Sequence, residues 1–262
     1  MFAANPVDGV RSYVEDWGGS GSPVLVYAGL ADPIEEAQGL PLVQALAGDY
    51  RMIFADHRGH GRSDKPHDPQ AYALPTRVAD VTAVLDELGI DRAHILGFSW
   101  GARLGFAIGE YAPARVRSLV LCGNQPYAWD PSWPFVPLLT SALDVASAEG
   151  MQGFIDVIES VLGDEALSEE TRARAMANDP LAIGAAWRSA LAEGAISPDL
   201  GAWRVPCLIY VAADDDMAAN AERAAREIPT ATFLALSGES HLSAPYECER
   251  VLPAVRNLFS AA

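Results

Sequence analysis

Ser99 stands at the middle of Gly97-Phe98-Ser99-Trp100-Gly101, a G-x-S-x-G run that sets a hydroxyl nucleophile between two glycines. Before it, His94 to Phe98 reads as the apolar run of a buried strand. After it, Leu104, Ala107, Ile108 and Tyr111 recur at helical spacing. A serine between such a strand and such a helix sits on a sharp corner, its hydroxyl raised above the end of a sheet. Glycines on either side suit a chain that turns so tightly. Gly101, Gly105 and Gly109 then repeat every four residues along one stripe of the helix. Each costs ~1 kcal/mol relative to alanine, so the stripe is expected where the helix packs closely on the sheet.

A serine hydroxyl is a weak nucleophile and needs a base within ~2.6–3.2 Å, itself oriented by a third group. Five histidines are available. His94 begins the serine strand and points away from its carboxyl end. His57 and His60 occupy a loop at a strand's carboxyl end and could approach the site, whereas His67, in a proline-rich loop, is expected to be solvated. His241, in Ser237-Gly238-Glu239-Ser240-His241, follows the last strand at the catalytic end. Its orienting acid is expected from Asp214-Asp215-Asp216, just past the preceding strand. Consecutive side chains diverge, so only one of the three reaches the imidazole. Asp216 directly precedes Met217-Ala218-Ala219 and is expected to cap that helix, with Asp214 a solvated turn residue.

The elements that must position these groups alternate along the chain. Val10 to Asp16 reads as an antiparallel strand or hairpin. Pro23 to Tyr27, Arg51 to Ala55 and Val116 to Cys122 read as buried strands. Leu40 to Leu46 is expected to be helical, as is the segment from a cap at Thr76 to Leu88. From Asn124 to Trp203, roughly 80 residues carry helical patterns and no convincing strand, too long for a plain crossover. The alternation resumes with a strand Val205 to Ala212, a helix from Ala218 to Ile228, a strand Thr232 to Leu236 and a last helix from about Tyr246 to Phe259. Such alternation means βαβ units and a mostly parallel sheet, with ligands beyond the carboxyl ends of its strands. The helical stretch is therefore an insertion bracketed by one sheet. Its aromatics Trp129, Trp133, Phe135, Phe154 and Trp187 either form its own core or line a pocket facing Ser99.

The order Ser, Asp, His is the one used by α/β hydrolases, and the chain resembles that superfamily from end to end. The resemblance rests on the Asp56-His57-Arg58-Gly59-His60-Gly61-Arg62-Ser63-Asp64 loop, the Gly97-to-Gly101 elbow, Val205-Pro206-Cys207-Leu208 leading into Asp215, and Gly238-x-x-His241. It implies an α/β-hydrolase fold with a mostly parallel central sheet flanked by helices and a helical cap after the sixth strand. The core would comprise residues 1–123 and 204–262, and the cap residues 124–203. It further implies Ser99 as nucleophile, His241 as general base and then acid, and Asp215 as orienting carboxylate, with His57 and His60 left to loop structure. The backbone N–H groups of Leu30 and Trp100 would form the oxyanion hole. Tyr27-Ala28-Gly29-Leu30 keeps the family's glycine, but Ala28 stands where a loop-supporting histidine is usual. Serine in place of aspartate argues against haloalkane dehalogenase and epoxide hydrolase chemistry.

The expected function is serine hydrolysis of an ester or lactone bond in a small, largely apolar or carboxylate-bearing substrate. The general look is similar to small carboxylesterases and 3-oxoadipate enol-lactonases. C–C bond hydrolases, cofactor-free haloperoxidases and a non-catalytic small-molecule-binding relative are the alternatives. No Cys/His spacing suggests a metal, and no cofactor is expected. The formal net charge of −17 argues against nucleic acid or an anionic membrane surface as partner. That leaves a small-molecule substrate, with monomer and homodimer both open. Half of the 262 residues are hydrophobic and 20% charged, ordinary for a globular chain with a sizeable core. Three cysteines, two of them in apolar runs, fit buried thiols in a reducing compartment. With no leader-like opening and no long apolar run, a cytoplasmic location is expected.

Overall fold

Short apolar runs, buried on both faces, build the centre of the sheet. β1 (Phe2–Ala4) and β2 (Arg11–Asp16) form an antiparallel pair, and β2 runs antiparallel to β4 (Arg51–Ala55). From there β3 (Pro23–Tyr27), β5 (Ala93–Phe98), β6 (Val116–Cys122), β7 (Cys207–Ala212) and β8 (Ala231–Leu236) pair in parallel. Among the described residues this gives one eight-stranded sheet in the order β1-β2-β4-β3-β5-β6-β7-β8. The computed structural model describes residues 1–162, 167 and 169–262. Positions 163–166 and 168 of the expected insertion lie outside the described residues.

Odd and even positions of each central strand feed two different cores. Leu25, Ile95, Leu121 and Ile209 face α3 (Leu74–Glu87), α4 (Trp100–Tyr111) and α9 (Ala218–Glu227). Val24, Val26, Leu96, Val120 and Leu208 face α1 (Ile34–Gly39), α2 (Pro41–Leu46) and α10 (Cys248–Ala261). A sheet covered on both faces has no solvated side, which is why its strands are continuous apolar runs. Cys122 and Cys207 are buried free thiols within it.

Between β6 and β7 the described residues form α5 (Phe135–Glu149), α6 (Met151–Leu162), α7 (Glu169–Met176) and α8 (Pro180–Leu191). They contain no strand. A third apolar cluster packs Val136 and Leu143 of α5 and Ile183 and Trp187 of α8 against Tyr72 and against Trp100 of α4. Among the described residues no helix is long and apolar enough to cross a membrane.

Several boundaries differ from expectation. α3 begins at Leu74 rather than after a Thr76 cap, because Pro75 is already in its first turn and Ala73 precedes it without a side-chain cap. A separate short helix, α1, precedes α2. The last strand–helix connection spends Ala244–Tyr246 on a 3₁₀ turn, so α10 starts at Cys248 with Glu247 as its cap. β7 starts at Cys207, since Val205-Pro206 cannot supply two ladder N–H groups.

Candidate active site

Ser99 is held in a conformation that only a built corner maintains, with φ 48° and ψ −106°. Among the described residues it is one of two non-glycine residues with positive φ, the other being Ala31 at 66°. The corner is pinned from three sides. The Ser99 N–H donates to the Cys122 carbonyl at 2.7 Å, and the Ser99 carbonyl accepts from the Asn124 amide at 2.9 Å and from the Arg103 N–H at 3.1 Å. A Cβ on Gly97 would lie 2.3 Å from the Gly101 carbonyl oxygen, and one on Gly101 would lie 2.4 Å from the Tyr27 carbonyl oxygen. The flanking glycines are thus required by close backbone approach. Gly105 and Gly109 lie likewise against Leu121 and Trp203.

The structure brings Ser99, His241 and Asp215 together from three loops at the carboxyl ends of β5, β8 and β7. His241 Nε2 is 3.1 Å from Ser99 Oγ, and His241 Nδ1 is 2.6 Å from Asp215 Oδ2. A carboxylate only accepts, so Nδ1 carries the proton and Nε2 faces the serine as acceptor. The Asp215 side chain is 4% exposed and that of His241 31%. Asp214 and Asp216 are exposed. Asp216 does not cap α9: the Met217 N–H donates to Asp215 Oδ1 at 3.0 Å instead. One carboxylate therefore both aligns the imidazole and ties down the start of the next helix. Gly123, with φ +68°, leaves the space into which the His241 ring fits; a Cβ there would lie 3.2 Å from Cε1. Neither Gly123 nor Asn124 was singled out in the sequence, although a Gly-Asn pair directly after a strand is a turn signal.

Trp100 opens α4, so its N–H is among those with no intrahelical acceptor. Leu30 lies across from it in the loop after β3, and both line the cavity above Ser99. With Ala28 in place of histidine, that loop is held by another histidine. His57 Nε2 donates to the Ala28 carbonyl at 3.0 Å, and the Gly101 N–H donates to the same oxygen at 3.0 Å. The loop's far side is fixed by the Asn178 amide donating to the Ala31 carbonyl at 2.7 Å. Burial drives the His57 pKa well below its usual value, and the nearby His60 and Arg77 charges act in the same direction. His60, whose Nδ1 meets the Arg58 carbonyl, is lowered by burial to about 4. Both side chains are buried against backbone carbonyls.

The other two histidines lie away from the site. His94 is buried, bonded to Ser118 and stacked on Phe259 at 4.1 Å, with its pKa lowered by burial to about 4. His67 is not simply solvated: its Nε2 lies 2.9 Å from Asp179, the cap of α8.

The cavity has a volume of about 640 Å³. Ser99, Trp100 and His241 lie at its base, and Trp129, Phe135, Phe154 and Trp187 come from the inserted segment. Trp133 stacks on Phe135 and meets Trp129 edge-on, outside the lining. The insertion's aromatics thus divide between its own packing and the cavity wall. Behind the wall lie two buried arginines. Arg77 sits 4.5 Å from the Trp100 ring and Arg103 4.9 Å from the Trp129 ring. Both bond to the single carboxylate of Glu193, at 2.5 and 3.1 Å. Arg103 also donates to the carbonyls of Gln125 and Tyr127, just after β6, and of Gly194, just after α8.

A family model described as alpha/beta hydrolase fold matches residues 18–151. The chain belongs to the alpha/beta hydrolase fold family. Among its curated relatives, an epoxide hydrolase of Siraitia grosvenorii is 36% identical over 87 residues, 33% of this chain and 28% of that protein. A putative carbamate hydrolase of Azorhizobium caulinodans is 35% identical over 103 residues, 39% of this chain and 37% of that one. A proline iminopeptidase of Heyndrickxia coagulans is 34% identical over 118 residues, 45% of this chain and 40% of that one. The chain thus spans well under half the length of these relatives. Solved structures match end to end at lower identity and share the fold. The enol-lactonase from Burkholderia xenovorans aligns at TM-score 0.82 with 22% identity, covering 99% of this chain and 100% of that one. A hydrolase from Pseudomonas aeruginosa aligns at TM-score 0.83 with 24% identity, covering 100% and 98%.

Proposed function

We propose that the protein hydrolyses an ester or lactone bond of a small substrate through an acyl-enzyme on Ser99. The observation that carries this reading is the relay Asp215–His241–Ser99, with heavy-atom distances of 2.6 and 3.1 Å, at the base of an aromatic cavity. Both distances lie within reach of proton transfer before any substrate is bound.

The reaction runs in two halves. Ser99 Oγ attacks the carbonyl carbon while His241 Nε2 takes its proton, and Asp215 stabilises the imidazolium that forms. The carbonyl π electrons move to oxygen, which the N–H groups of Leu30 and Trp100 receive, the latter at the positive end of α4. Collapse re-forms the carbonyl and expels the alkoxide, which takes the proton from His241. Water then attacks the acyl-enzyme, giving its proton to His241, and a second collapse releases the free acid while Ser99 Oγ takes that proton back from His241. The insertion of residues 124–203 acts as a cap whose aromatic side chains hold the acyl group over the serine.

A serine at the elbow suits carbonyl substrates, whose tetrahedral oxyanion the two N–H groups match. A screen across short and long acyl p-nitrophenyl esters and lactones, with Ser99→Ala as control, tests the reading. Turnover by the native protein that vanishes in Ser99→Ala supports it. A folded protein inert toward every acyl substrate makes this a binding relative instead.

A further inference from the structure

The cavity wall has an uneven charge inventory. Among the described residues it presents five carboxyl groups, from Asp32, Asp214, Asp215, Asp216 and Glu239, and one guanidinium, from Arg174. That guanidinium is already taken. Arg174 Nη2 lies 2.6 Å from Glu36 Oε2, and Nη1 lies 2.9 Å from Glu170 Oε1. Nη2 also reaches Thr171 Oγ1 at 3.3 Å. Its remaining nitrogen, Nε, is sealed from solvent and has no partner among the described residues, so it offers no open face to a ligand. Glu36, at 16% side-chain exposure, is the more enclosed of the two partners; Glu170 is 82% exposed. Glu36 is itself held in place by the Tyr246 hydroxyl.

An anion entering such a cavity loses its hydration and, among the described residues, finds no unpaired cation in exchange. It also meets carboxylates on several sides, and like charges repel strongly where water is scarce. A neutral acyl chain meets the opposite situation: Trp, Phe and Leu side chains that gain from being covered.

Building on the ester and lactone reading, we propose that this site takes uncharged apolar acyl groups and rejects acyl groups bearing a carboxylate, with Glu36 as the specificity-determining residue. Glu36 acts by occupying Arg174, the one permanent cation that would otherwise receive a substrate carboxylate. This narrows the two substrate classes that the sequence left side by side.

The test compares two esters of matched length, p-nitrophenyl pentanoate and the p-nitrophenyl monoester of glutaric acid. The native protein should favour the neutral ester in kcat/KM by 100-fold or more. Glu36→Gln, which frees one edge of the guanidinium, should shrink that ratio at least tenfold, chiefly through a lower KM for the anionic ester. Arg174→Met should leave the ratio in favour of the neutral ester. A native protein that hydrolyses the anionic ester as well as the neutral one overturns the proposal. So does selective loss of the anionic ester in Arg174→Met, which would make Arg174 an anion receptor. Equilibrium binding of the same two esters to Ser99→Ala, read by quenching of the cavity tryptophans, makes the comparison without turnover. Failure of the hydrolysis reading and failure of this one therefore give different results: no turnover in the first case, and equal or anion-favouring binding in the second.

Discussion

Asp215 divides its carboxylate between two tasks, one oxygen 2.6 Å from His241 Nδ1 and the other 3.0 Å from the Met217 N–H. Asn at this position keeps the shape and one acceptor oxygen, but it loses the charge and turns a donor amide toward either Nδ1 or Met217. Asp215→Asn should therefore lower kcat by about 10³–10⁴, the scale seen when a triad imidazole is left in the wrong tautomer. Asp214→Asn and Asp216→Asn should each stay within a few-fold of the native rate and, in a urea melt, within ~0.5 kcal/mol of native stability, since neither side chain caps α9. A dead Asp214→Asn or Asp216→Asn beside an active Asp215→Asn would reassign the acid.

Arg103 ties the segment after β6 and the turn after α8 to α4, the helix that follows Ser99, and it shares Glu193 with Arg77. The three side chains are 0%, 9% and 2% exposed. Removing the one carboxylate leaves two buried guanidinium groups facing each other. Glu193→Gln should therefore cost about 3–5 kcal/mol in a denaturant melt, the scale for breaking a buried pair from one side. A loss below ~1 kcal/mol would mean that the arginines are compensated elsewhere.

Asp32 supplies a pH dependence of stability. Its carboxyl lies deep in the cavity wall, and burial, followed by the nearby Glu36 charge, raises its pKa to about 7. In the unfolded chain the same group ionises near its ordinary value of 3.8. Between those values the folded state holds a proton that the unfolded state has lost, so this contribution to stability is complete below about pH 4 and declines as pH rises to about 7. Asp32→Asn removes the dependence. Relative to native protein, its stability should rise by roughly 2 kcal/mol between pH 4 and pH 8, at ~1.4 kcal/mol per pKa unit discounted for relaxation around the charge. Urea melts at the two pH values give this difference directly, and a pH-independent difference would contradict the assignment.

His57 stands in for the missing loop histidine by donating to the Ala28 carbonyl. His57→Phe removes that donor while keeping a ring against Tyr27. It should lower kcat about tenfold or more with little change in KM, less than deleting an oxyanion donor outright, which costs about 10²–10³. His57→Gln, which keeps an N–H, should recover part of the loss. Equal effects of Phe and Gln would show that the hydrogen bond is not what holds the loop.

Much of the fold and of the site is legible in the sequence, for reasons that differ by residue. β3, β4 and β6 match the expected ranges because each is an apolar run closed by turn residues, a local signal that the buried sheet leaves unopposed. The glycine stripe on α4 reported close packing because no other cause explains three helix-weakening residues in register. The sequence points to Asp216 as the cap of α9, but capping depends on side-chain direction, and the turn aims Asp215 at both Met217 and His241. The His57–Ala28 bond joins positions 29 residues apart, and Arg103 meets Glu193 across 90. Such pairings follow only from the sheet order that folds the chain back on itself. Asp32 carries no motif at all; its burial in the loop after β3 is a property of the assembled cavity.

The central claim is that Ser99, activated by His241, is a nucleophile toward acyl-like electrophiles. Intact-protein mass after exposure to an alkyl fluorophosphonate measures it most directly. The account predicts a single phosphonyl adduct that peptide mapping places on Ser99, absent from Ser99→Ala and formed at least 10²-fold more slowly in His241→Gln. A folded native protein that gains no adduct, or a Ser99→Ala variant that labels as fast as the native chain, would contradict it.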